Sequence, residues 1–76
     1  MQVEWKYQRL GRFRGYLEGE VVAHVAHVVG PGGSDDGWMV FIVGLAEALP
    51  DRYPNEFEAM LAAEAEVVRR LRGDGD

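Results

Sequence analysis

VVAHVAHVV at residues 21–29 and WMVFIV at residues 38–43 decide how this chain folds. Both runs are short, rich in β-branched and aromatic residues, and close to glycine at their ends, which selects strand over helix. Both are also apolar at odd and at even positions. Successive side chains of a strand point to opposite faces, so each run offers apolar groups to both sides of its sheet. Only one convincing helix follows, over residues 56–72, and one helix covers one face. The pattern predicts a sheet whose second face is left for something else to cover.

Upstream, Val3, Trp5 and Tyr7 alternate with Glu4, Lys6 and Gln8, the period-2 signature of a strand with one buried face. Leu10, Gly11 and Arg12 interrupt this pattern as a turn or bulge. In the next strand Phe13, Gly15 and Leu17 share one face, and Arg12, Arg14, Tyr16 and Glu18 the other. Gly19, between two glutamates, suits the pivot of a tight hairpin. The run GPGGSDDG at residues 30–37 reads as a flexible hairpin loop. Short connections imply an antiparallel meander.

Residues 45–49 can add one helical turn before Pro50, and residues 51–55 read as a linker. Asn55 then caps the final helix, with Glu58 three positions on. Acids in the first turn, arginines in the last and Gly73 just beyond suit the helix dipole and a glycine stop. At about 100° per residue, Phe57, Met60, Leu61, Val67, Val68 and Leu71 form one stripe, expected to lie on the sheet. Glu64 falls inside that stripe and needs a partner (His24, His27, Arg12 or Arg14) or water at the sheet edge. The fold expected is α+β, an antiparallel meander of three to four strands with one C-terminal helix on one face. Residues 1–72 form a single domain, and residues 73–76 a disordered tail.

The chain has 76 residues and no cysteine, which rules out disulfides and thiolate metal sites. No stretch approaches the roughly 20 apolar residues needed to span a bilayer. No signal-peptide pattern opens the sequence, so a cytoplasmic location is expected. The net charge is −5, unevenly spread. Lys6, Arg9, Arg12 and Arg14 crowd the first strands, whereas residues 18–66 are acidic apart from Arg52. Such an acidic flank can steer the molecule toward a basic partner.

Catalytic material is scarce. Ser34 is the only serine and sits in the glycine-rich loop, and there is no threonine. That loop lacks the lysine and following helix of a phosphate cradle. His24 and His27, an odd number apart, fall on opposite faces of a strand and could share a ligand only across a bulge or a dimer interface. No enzymatic activity, metal or cofactor is therefore expected. Nucleic-acid binding is the rival reading, through Lys6, Arg12, Arg14 and Tyr16. The chain's negative charge and the placing of Trp5 and Tyr7 on the core face count against it.

Gly11-Arg12-Phe13-Arg14-Gly15-Tyr16, Gly19, Val22-Ala23-His24-Val25, the Trp38 strand and the Ala/Glu-rich helix follow one another in an order that resembles small phage- and prophage-encoded proteins of high-GC bacteria. Some of these are anti-CRISPR or other anti-host inhibitors of similar size and acidity. The resemblance implies a non-enzymatic protein–protein interaction module acting by steric binding, and transfers no site residue. Together with the doubly apolar strands, it leads to an expected homodimer or partner interface formed by Trp38, Val40, Ile42, Val22 and His24.

Overall fold

The computed structural model describes residues 2–73. Four strands, β1 (Glu4–Tyr7), β2 (Arg12–Leu17), β3 (Glu20–Val29) and β4 (Asp35–Ile42), form one antiparallel sheet in the order β1-β2-β3-β4. A single helix, α1 (Glu56–Leu71), packs against β3 and β4. The expected α+β meander with a C-terminal helix is the observed architecture. Of the expected tail, residues 74–76 lie outside the described residues.

Local sequence explains each turn. Glu18 (φ 51°) and Gly19 (φ 85°) are both left-handed, the backbone a two-residue hairpin requires. Between Gly15 and Tyr16 the pairing with β3 slips by one, from Gly15↔Ala23 to Tyr16↔Val21, which leaves Val22 as the extra, bulged residue. The glycine-rich segment is more ordered than its composition suggests. Pro31–Gly33 form a 3₁₀ turn, and Asp35, Asp36 and Gly37 already belong to β4.

Residues 45–49 form bends and irregular backbone and no helix. The segment that follows does more than link. The Leu49 N–H donates to the Val40 carbonyl, and Trp38 and Tyr53 exchange both backbone hydrogen bonds. This strap covers the outer edge of β4, where an open row of donors and acceptors would otherwise invite pairing with another chain. Asn55 then caps α1, its side-chain oxygen accepting from the Glu58 N–H at 2.9 Å, and Gly73 (φ 76°) follows the helix end.

The core lies between α1 and the sheet. Ala23, Val25, Val40 and Ile42 from the strands meet Ala59, Ala63 and Val67 from the helix, and all are buried. The stripe expected from hydropathy is thus corrected. Val67 and the half-buried Met60 lie on the sheet, but Phe57 (69% exposed), Leu61 (63%) and Leu71 (59%) point outward. Small alanines let the helix backbone approach the strands, and Trp5, Phe13, Trp38 and Tyr53 fill the flanks. Apolarity alone misses this geometry, because alanine ranks low by hydrophobicity yet fits where a leucine would push the layers apart.

Glu64 finds a partner other than those expected. The Trp5 indole Nε1–H donates to Glu64 Oε2 at 2.8 Å, joining the first strand to the helix. Trp5 in turn lies over Gly15, where an added Cβ would come within 2.8 Å of the indole and 2.9 Å of Val3 Cγ1. Gly15→Val is expected to destabilise the fold by about 1–3 kcal/mol through overpacking. Phe57→Ser, on the exposed helix face, should stay within about 0.5 kcal/mol of the parent. Urea unfolding followed by circular dichroism checks both.

Candidate anion-binding face

The register of the four strands assembles the surface opposite α1. Lys6 pairs with Arg14, Arg14 with His24, and His24 with Phe41, so these four side chains form one row across the sheet. Arg12, Ala26 and Met39 form the next row. Tyr16 lies two residues beyond Arg14 on the same face of β2. The surface therefore has a basic half on β1 and β2 and an apolar half on β3 and β4. Between them lies an open depression of about 710 Å³ bordered by Arg9, Arg12, Arg14, His24 and Phe41.

The two arginines here lack partners. Among the described residues neither Arg12 nor Arg14 forms an ion pair, and the Arg14 Nε is buried with no hydrogen-bond acceptor. Lys6 has one distant contact, 3.9 Å to the exposed Glu4, and its ammonium sits 5.2 Å from the centre of the Tyr16 ring. One acid, Glu4, shares this face opposite Tyr16, and others lie elsewhere. Glu66 is engaged by Arg69 and Arg70 on α1, and Asp35 accepts from the Gly37 N–H and meets His27 Nε2, each at 2.9 Å. These contacts hold the Asp35 carboxyl below its usual range. A molecule of net charge −5 thus gathers Lys6, Arg12 and Arg14 on one side, with Glu4 at the margin of the group.

Of the residues expected at an interface, Val40 and Ile42 are instead buried beneath α1, and Trp38 packs beside Phe13 and His27 on that same covered side. Val22, displaced by the bulge, packs against the core while staying half-exposed. His24 alone of this group lies on the open face, where the neighbouring β4 positions are Met39 and Phe41 (38% exposed). The reason is parity: a strand apolar at every position does not reveal which alternate set meets the helix. By contrast, Lys6, Arg12, Arg14 and Tyr16 all share the open face. Sequence reading grouped Arg9 with them but missed Phe41, which only the β3–β4 register could have placed.

His24 and His27 do fall on opposite faces, and no group of three or more metal-ligating side chains exists among the described residues. The Ser34 hydroxyl meets Asp36 at 3.5 Å and makes no hydrogen bond to a histidine. No helix in the described residues is long and apolar enough to cross a membrane. Comparison with protein-family models, curated proteins and solved structures finds no match to this chain.

Partial burial, and then the charges of Arg14 and Arg12, lower the His24 pKa from its ordinary value of 6.5. Folding therefore favours the neutral ring. The stability this contributes is fully present above the unfolded-state value and is lost as pH falls through it toward the folded value. An NMR titration of the ring protons should show a His24 midpoint below 6.5, moving upward in Arg14→Ala. A midpoint at or above 6.5 in the parent would contradict this environment.

Proposed function

We propose that this chain is a non-enzymatic binding module that recognises an anionic partner through the open face of its sheet. One observation carries the reading: Lys6, Arg12 and Arg14 are gathered on a single face, and the two arginines have no carboxylate partner among the described residues. Like charges held together repel, and a partly buried guanidinium nitrogen without an acceptor costs free energy. An anion arriving on this surface relieves both. The same charge disfavours face-to-face packing of two copies, because each copy would bring its arginines against the other's.

The surface suits binding better than chemistry. It has cations to orient an anion, apolar area on Ala26, Met39 and Phe41 to gain from burial, and no nucleophile beside His24. A host-directed, inhibitor-like role remains compatible with such a module when its target presents acidic groups.

Immobilised heparin, a polyanion, provides the test. Retention at low ionic strength is expected despite the acidic isoelectric point of about 4.9, with elution as salt rises. The double substitution Arg12→Ala with Arg14→Ala should pass through unretained while keeping the parent circular dichroism spectrum. A parent protein that flows through at low salt would end this reading.

A further inference from the structure

The chemistry of the face can be narrowed beyond charge. We infer that the anionic partner is a single-stranded nucleic acid, lying across the open sheet with its phosphates on Lys6, Arg12 and Arg14 and its bases stacked on Tyr16 and Phe41. This inference rests on the anion-binding reading above and names the partner of that same face.

Three features carry it. The first is the placing of aromatic rings beside cations. Tyr16 is two residues from Arg14 along β2, about 7 Å, and Phe41 lies two strands away in the row of Arg14, about 9–10 Å. Arg14 therefore stands at the corner between two rings on one face. A partner offering only carboxylates or a small anion leaves those rings unused. A strand of nucleotides presents a charge and a flat apolar surface in every unit, which matches the mixture.

The second is ring access. Lys6 Nζ rests 5.2 Å from the Tyr16 ring centre, so one ring face already receives a mobile cation. An arriving base takes that position and moves the ammonium toward the adjoining phosphate. Phe41 is 38% exposed and forms no aromatic ring pair among the described residues, and is open to stack. Arg14 adds a planar guanidinium with its Nε buried, suited to gripping phosphate or to stacking.

The third is width. Four strands about 4.8 Å apart span some 14 Å between the outer backbones. The major groove of B-form DNA is about 12 Å wide and admits a helix or a two-stranded ribbon. A single strand has no groove to enter and can lie across all four strands. Stacking accepts any base, so weak sequence preference and a steep dependence on salt are expected.

The test uses the full chain and a fluorescently labelled oligothymidylate about a dozen nucleotides long, followed by anisotropy through a salt series. Expected are binding at low salt that weakens steeply as salt rises, and loss of binding in Arg12→Ala with Arg14→Ala. Tyr16→Leu and Phe41→Leu, which keep apolar bulk but remove the ring, should each weaken oligonucleotide binding by about 5- to 100-fold. Both should leave heparin retention unchanged. A mixed-sequence duplex of equal length should bind more weakly than its separated strand, a comparison that needs no variant.

Equal or tighter duplex binding, or ring variants that bind like the parent, would overturn the single-strand assignment. Heparin retention without oligonucleotide binding would overturn it too, while leaving the anion-binding face intact and pointing to an acidic protein. Absence of both would remove the face itself.

Discussion

Everything in this molecule depends on how closely α1 approaches β3 and β4. Ala59 and Ala63 are fully buried against Ala23, Val25 and Val40, so the contact is made by small and β-branched side chains. Close packing at this seam fixes the rotation of the helix, turning Phe57 and Leu61 outward and bringing Glu64 within reach of the Trp5 indole. It also fixes which alternate set of strand residues is core. Once Val25 and Val40 face the helix, His24 and Phe41 must face away, and the character of the open surface follows.

The two layers differ in electrical character as well as in exposure. The helix carries Glu56, Glu58, Glu64 and Glu66 ahead of its closing arginines, whereas the far side of the sheet carries Lys6, Arg12 and Arg14. Net charge is therefore a poor guide to what this protein can bind. Its negative total coexists with a local surface of opposite sign, and a potential of that kind acts over about a Debye length, roughly 10 Å at ordinary ionic strength. The strap over β4, closed by Trp38 and Tyr53, blunts one sheet edge without covering the open face.

Much of the fold was legible in the residues. Period-2 alternation, Gly19 and the asparagine cap each have a local cause and appear where that cause predicts. The helix stripe was not legible, because its contact residues were chosen for size and the sequence signal weighs hydrophobicity. The site was half legible. Arg12, Arg14 and Tyr16 share a face by simple alternation, and this much needs no structure. Phe41 and His24 join them only through cross-strand register, a long-range property set by a bulge at Val22 and by which side the helix takes. The loop at residues 30–37 misled for a related reason. Glycine lowers strand preference, yet the Asp35 carboxylate holds the Gly37 N–H and meets the His27 ring, so β4 extends into it.

The order of the strands has a kinetic consequence. Each strand pairs with its neighbour in sequence, so the sheet closes through short loops with little entropy lost per step. Docking of α1 is different, since the Trp5–Glu64 bond joins residues 59 apart. The hairpins that carry the basic face can form from local contacts, while the opposite apolar side waits for α1. On a ribosome α1 emerges after all four strands. Until then a nascent sheet presents Val25 and Val40 unprotected, and the interval before the helix arrives is when this protein is most prone to aggregate.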